Sequence, residues 1–264
     1  MLTWSRRLAI ALALLSLAVL PVAGASANSD LGVVVLHGKQ GGPGGRPTAS
    51  FLQALRSAGY TVQAPEMCWS GNRIYDAPYL DCLKAIDTAV AALRAAGARR
   101  IVIAGHSLGG NAAIVYGTQH PELTGVVALA PAALPQQFVR NPRIAAAVAQ
   151  ARQMVAAGQG SQRVSFIDGN NGQTFTVVTT PAIYLSFIEP GGPADFAAAL
   201  PQLRVPIIWV SGSSDPTQEQ AASQFPRLPA NPLNKFVQVS ATHLDTPNAA
   251  IGAVLEWLKA LPPR

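Results

Sequence analysis

Charged residues are scarce in this 264-residue chain: Asp, Glu, Lys and Arg together make up 12% of it. It has two cysteines and four histidines, and aromatic residues contribute 6%. Each shortage closes a class of function. The positive balance, 19 basic against 13 acidic residues, is modest and scattered. No run of Lys and Arg interleaved with aromatics offers a face to nucleic acid. Cys and His do not stand at zinc-ligand spacing, so no metal site is expected. G-x-x-x-x-G-K-[ST] is absent and the glycines after His37 do not fit G-x-G-x-x-G, which leaves no phosphate cradle and no implied cofactor. What the chain has in quantity is apolar surface. At 49% hydrophobic residues it is a globular sequence, long enough to bury the core of one α/β domain.

The first 27 residues read as a secretory signal peptide and not as part of the fold. Arg6-Arg7 form the basic region, Leu8 to Leu20 the apolar core, and Ala25-Ser26-Ala27 an A-x-A cleavage site. That core is short for a spanning helix, and no Cys stands at the cleavage site for a lipid. Residues 28–264 are then the mature chain, expected in the periplasm or secreted, with no membrane anchor. Both cysteines, Cys68 and Cys82, lie in the exported part. An oxidising compartment favours a disulfide between them, the alternative being two buried free thiols.

The mature chain alternates short apolar runs with helical periodicity. Leu31–Leu36 and Tyr60–Ala64 read as strands, and Asp76–Ala96 as a helix with Leu80, Leu83, Ile86, Val90 and Leu93 on its apolar face. Ile101–Ala104 and Gly125–Ala130 read as strands flanking a helix that runs from Asn111 to His120. This alternation implies a mostly parallel central sheet with helices on both faces. It breaks at Pro131. Residues 131–203 read as helices plus a hairpin turning at Gly169-Asn170-Asn171-Gly172, an insertion over the carboxyl edge of the sheet. The sheet resumes at Val205–Val210 and Phe236–Val239, and a helix over Ala249–Leu261 closes the chain.

The organising stretch is Gly105-His106-Ser107-Leu108-Gly109, which fits G-x-S-x-G between a buried strand and a helix. In that context a sharp turn projects Ser107 Oγ above the sheet, and a side chain at Gly105 or Gly109 would collide with its neighbours. A packing turn is the bland alternative. A serine hydroxyl needs a base, and that base needs an orienting acid. His106 sits in the turn itself, His120 precedes Pro121, and His37 is expected to shape the glycine-rich loop. His243, after the last strand, remains. Among Glu122, Asp168, Glu189, Asp195, Asp215 and Glu219, only Asp215 directly follows a strongly apolar strand through a Gly/Ser turn. Asp245 reads as a helix cap. The oxyanion needs two backbone donors: Leu108, and either Lys39 or Gln40 from the loop after the first strand. Trp69 and Tyr184, with Met67, Phe187 and Phe196, are candidates to line an acyl pocket beside His37 and Gly38; core packing is the alternative for each.

The elbow residues Gly105 to Gly109, the upstream His37-Gly38, and the order Ser107, Asp215, His243 together resemble the α/β-hydrolase superfamily over nearly all of residues 31–261. The chain looks like the small bacterial members that carry Met-Pro-Trp after the second strand. It departs from them at Cys68 in Met67-Cys68-Trp69, and Cys82 makes that departure look like a paired change. The resemblance implies the α/β-hydrolase fold, Ser107 as nucleophile, His243 as base and then acid, and Asp215 orienting His243. It names no substrate, since the superfamily includes esterases, lipases, thioesterases, peptidases, acyltransferases and some non-enzymes. The expectation is an exported serine hydrolase acting on a small acyl ester. A peptidase, amidase or thioesterase of the same fold is the alternative, and a non-catalytic binding protein is a third reading. A peptidase would need a group to hold a charged terminus, for which Glu66 and Glu189 are the candidates.

Overall fold

The computed structural model describes residues 30–263. The leader features at Arg6-Arg7, Leu8–Leu20 and Ala25–Ala27 lie outside them. Six strands build the central sheet: β1 (Leu31–Leu36), β2 (Thr61–Gln63), β3 (Arg100–His106), β4 (Gly125–Leu129), β7 (Ile207–Gly212) and β8 (Lys235–Val239). Their order is β2-β1-β3-β4-β7-β8, and every neighbouring pair is parallel. β3 therefore lies inside the sheet, between β1 and β4.

The inner strands β1, β3, β4 and β7 are buried on both sides because each feeds two cores. Val34 and Leu36 of β1, Ile101 and Ile103 of β3, and Ile207 and Trp209 of β7 pack on one face with α2 (Tyr79–Ala95) and α3 (Leu108–Gln119). The residues between them, Val33, Val35, Val102, Ala104, Ile208 and Val210, pack on the other face with α1 (Ala49–Ser57) and α10 (Ile251–Ala260). This is the period-two alternation of a strand covered on both faces, and it explains why no polar residue interrupts the runs.

α2 corrects one sequence expectation. It starts at Tyr79 behind Pro78, and its buried face is Tyr79, Cys82, Leu83, Ile86, Ala89 and Leu93. Leu80 is 47% exposed, since the core-facing row passes through Tyr79 and Leu83 and leaves it outside.

Between β4 and β7 the chain leaves the sheet for α4 (Pro135–Phe138), α5 (Pro142–Ala156), the antiparallel pair β5 (Val164–Asn170) and β6 (Gln173–Thr179), α6 (Pro181–Ile188) and α7 (Phe196–Ala199). The hairpin turns on Asn171-Gly172, with φ of 47° and 75°. Two consecutive positive φ values suit the right-handed twist of a two-residue hairpin, and Asn-Gly accepts them most readily. After β7 come α8 (Gln218–Gln224), β8 and α9 (Thr246–Ala249). Among the described residues no helix is long and apolar enough to cross a membrane.

Cys68 and Cys82 form a disulfide, with their Cα atoms 5.5 Å apart and a sequence separation of 14. It fastens the segment after β2 to the first turn of α2. A closed loop of that size restrains the unfolded chain by about 3 kcal/mol. Purified protein denatured without reductant should therefore show no titratable thiol. Reduction should lower Tm by about 6–12 °C, the shift that stabilisation of this size gives a domain of this length. Two reactive thiols in protein from an oxidising compartment, or an unchanged Tm on reduction, would contradict this.

Candidate active site

Ser107 stands between β3 and α3 with φ 58° and ψ −120°, a conformation that costs a non-glycine residue about 1–3 kcal/mol. Its backbone is held from three directions. The Ser107 N–H donates to the Leu129 carbonyl at 3.0 Å, and the Ser107 carbonyl accepts from the N–H groups of Asn111 at 3.0 Å and Ala132 at 3.2 Å. The turn is possible only because its flanks lack side chains. A Cβ on Gly105 would lie 2.1 Å from the Gly109 carbonyl oxygen, and one on Gly109 would lie 2.5 Å from the Leu36 carbonyl oxygen.

The loops after β7 and β8 supply the two partners. His243 Nδ1 lies 2.8 Å from Asp215 Oδ2. The other carboxylate oxygen of Asp215 accepts from the Thr217 N–H and hydroxyl, both at 2.8 Å. Burial pushes the Asp215 carboxyl up, but the bonds from His243 and Thr217 outweigh it and hold it below the usual carboxylate value. An ionised Asp215 accepts a hydrogen bond from Nδ1–H, which places the His243 lone pair on Nε2 in the neutral ring. Ser107 Oγ makes no hydrogen bond among the described residues. A serine hydroxyl rotates freely, and contacts of this kind commonly tighten only with substrate in place.

The remaining acids have other partners or other places. Glu122 bonds His120 Nδ1, Asp168 bonds Lys39, Glu189 pairs with Arg152, and Asp195 meets Gln136. Asp245 does not cap a helix through its side chain; it accepts from the Thr242 hydroxyl instead.

The loop after β1 passes close to Ser107: a Cβ on Gly38 would lie 3.1 Å from Ser107 Cβ. The Gly38 carbonyl faces His37 Nδ1 at 2.9 Å and the Gly41 N–H at 3.0 Å. Peptide planarity then turns the Lys39 N–H to the opposite side, where no described residue accepts from it. The Gln40 N–H is not available, because it donates to the Trp69 carbonyl at 2.8 Å. Of the two residues proposed for the second donor, Lys39 keeps a usable amide and Gln40 does not. Leu108 opens α3, so its N–H has no intrahelical acceptor and lies at the positive end of the helix.

A cavity of about 540 Å³ joins these groups. Ser107, Leu108, Lys39, Asp215 and His243 line it together with Leu134, Phe138 and Ile144 from the insertion, the hairpin turn Gly169–Thr174, and Leu244. That volume suits a small organic ligand.

A family model for the alpha/beta hydrolase family matches residues 33–253. The chain belongs to this family. No curated protein matches the sequence. Among solved structures it is similar to a monoacylglycerol lipase from Paleococcus ferrophilus, with TM-score 0.65 and 20% identity, covering 87% of this chain and 94% of that one. It is also similar to a structure reported for the metagenome-derived lipolytic enzymes LipS and LipT (TM-score 0.61, 18% identity, 89% and 96% covered). Est1E from Butyrivibrio proteoclasticus with bound ferulic acid gives TM-score 0.61 at 15% identity, with 89% and 91% covered.

Within this alpha/beta hydrolase framework the expected pocket residues need correction. None of His37, Gly38, Trp69 and Tyr184 lines the cavity. His37 spends both ring nitrogens on structure, Nδ1 on the Gly38 carbonyl and Nε2 on the Met67 N–H. Trp69 is buried and donates its indole N–H to the His37 carbonyl, while Tyr184 stacks on Phe166 and donates to the Ile167 carbonyl. Trp69 and Tyr184 belong to the hydrophobic core. Neither cysteine of the disulfide beside Trp69 lines the cavity.

His106 has a contact that sequence reasoning missed. Its ring lies 4.8 Å from that of His243, and its Nε2–H donates to the His243 carbonyl at 2.9 Å. Nδ1 is buried without a partner among the described residues. Burial, reinforced by the neighbouring His243, lowers the His106 pKa to about 3. The folded chain keeps this ring neutral where an unfolded chain, at about 6.5, takes up a proton. Its stabilising share is complete above that value and is lost as pH falls toward about 3, by up to about 1.4 kcal/mol per pH unit. His106→Gln should therefore flatten the fall in Tm between about pH 6.5 and 4.5, as measured by thermal unfolding across buffers. An unchanged slope would show that another group carries the acid sensitivity.

Proposed function

We propose that the mature chain is an exported serine hydrolase that cleaves carboxylic acyl esters through an acyl-enzyme. The observation that carries this reading is the Asp215–His243 hydrogen bond beside the cavity that Ser107 also lines. His243 Nε2 removes the Oγ proton as Ser107 bonds to the ester carbonyl carbon. The carbonyl electron pair moves onto oxygen, where the Leu108 and Lys39 N–H groups receive the charge. Collapse breaks the bond to the alcohol oxygen, which leaves with the proton held by His243. Water then repeats the sequence on the acyl-enzyme and releases the acid.

The lining favours a neutral substrate. Its charged side chains near the nucleophile, Lys39 and Asp215, are committed to Asp168 and His243. The peptidase alternative asks for a carboxylate that holds a charged terminus, and neither Glu66 nor Glu189 reaches the cavity. Glu66 instead bonds Ser70 and Asn72, and Glu189 pairs with Arg152. The lipase and esterase chemistry named for the structural relatives agrees with this reading, which rests on the residues. Export is supported by the leader between Arg6 and Ala27 and by the disulfide, which persists in an oxidising compartment.

Ser107→Ala should reduce hydrolysis of a p-nitrophenyl acyl ester by roughly a thousand-fold or more while leaving Tm close to wild type. His243→Ala should match it, and Asp215→Asn should lose as much or somewhat less. Because the three act as one unit, a Ser107→Ala/His243→Ala double variant should be no worse than either single one. Retained turnover in purified Ser107→Ala would end the nucleophile assignment. Preference for peptides over esters in a substrate panel would instead favour the peptidase.

A further inference from the structure

Asp168 is fully buried, yet no catalytic step uses it. It sits near the end of β5 and accepts four hydrogen bonds from three groups: Lys39 Nζ at 3.0 and 2.9 Å on its two oxygens, the Tyr75 hydroxyl at 2.7 Å and the Gly169 N–H at 2.6 Å. Lys39 Nζ gives its remaining bond to the Gly169 carbonyl at 2.9 Å and lies 4.4 Å over the Phe138 ring. The two side chains are 5% and 0% exposed. Replacing such a pair by apolar residues is commonly no loss to stability, so stability alone does not account for it.

We propose that the Lys39–Asp168 ion pair is a positioning device, through which the β5–β6 hairpin of the insertion sets the Lys39 backbone N–H over Ser107. This rests on the serine hydrolase reading, in which that N–H receives the oxyanion. The Lys39 side chain is anchored in the hairpin while its amide faces the reaction. The next peptide is pinned from both sides: its carbonyl, that of Lys39, accepts from Asn170 Nδ2 at 3.3 Å, and its N–H, that of Gln40, reaches the Trp69 carbonyl. Asn170 also donates to Gln40 Oε1 at 2.9 Å. Gln40 itself has φ 58°, so the loop is held in a conformation it would otherwise leave. Asp168 and Lys39's ammonium are thus positioning groups, because the ammonium spends its hydrogen bonds on Asp168 and the Gly169 carbonyl and acts through the Lys39 backbone.

The test compares Asp168→Asn, Lys39→Met and the double variant with wild type for ester turnover, fluorophosphonate labelling rate and Tm. Phosphonylation also develops charge on an oxygen at the same donors, so it reports on the loop without depending on the ester. Each variant should lose about 10- to 100-fold in kcat and in labelling rate, with KM within about two-fold, a part of what deleting an oxyanion donor costs. Each single variant buries a lone charge or loses its partner and should melt lower. The double variant is neutral, so its Tm should recover while its kcat stays low. Recovery of kcat together with Tm would overturn the proposal and leave the pair a packing feature, as would a single variant with wild-type kcat. If the single variants do not fold, the double variant decides. Wild-type protein that labels but turns over no ester defeats the ester reading and leaves the labelling comparison to judge the tether. Wild-type protein that does not label defeats both.

Discussion

The φ 58° turn at Ser107 is the constraint on which the rest of the site depends. It puts one hydroxyl above the carboxyl edge of the sheet, beside the Leu108 N–H and within the cavity that His243 lines. A turn of that kind survives only where its surroundings over-determine it. Here β3 is buried on both faces, Gly105 and Gly109 leave no room for another path, and three backbone hydrogen bonds close around Ser107. The insertion, the glycine-rich loop and the last two strand-end loops are arranged around a point that the centre of the sheet has already fixed.

Buried charge is used sparingly and close to that point. Asp215 bonds His243 Nδ1, and Asp168 grips the Lys39 side chain in the loop after β1. Both carboxylates are surrounded by donors, as burial at low dielectric requires. The loop that Asp168 grips is held on its far side by the segment at Trp69, which the neighbouring disulfide ties to α2. Disulfide and ion pair thus brace one short loop from opposite directions.

The sheet and the strand–turn–helix at Ser107 are legible because each rests on short-range pattern: apolar runs and glycine at fixed offsets. Asp215 and His243 could be chosen by elimination because so few acids and histidines compete. The cavity wall was not legible in this way. Trp69 and Tyr184 have the composition of a binding pocket, but composition does not say which way a buried ring faces, and both face the core. Phe138 and Ile144 gave no signal to separate them from ordinary helix residues. The Lys39–Asp168 pair spans 129 positions, a contact that no local pattern encodes. Gln40 failed as a donor for a similar reason, its amide being taken by a carbonyl from another loop. The Cys68–Cys82 pairing follows from an exported chain and proximity in sequence, but that neither cysteine lines the cavity is visible only in the folded packing.

The central claim is that Ser107 carries the acyl group during turnover. Its most direct measurement is rapid acid quench of the enzyme with a p-nitrophenyl ester, followed by peptide mass mapping. One acyl adduct is expected, on the peptide containing Ser107, absent when Asp215 and His243 are intact but Ser107 is alanine. An adduct on another residue, or turnover with no adduct while p-nitrophenol appears in a stoichiometric burst, would contradict it.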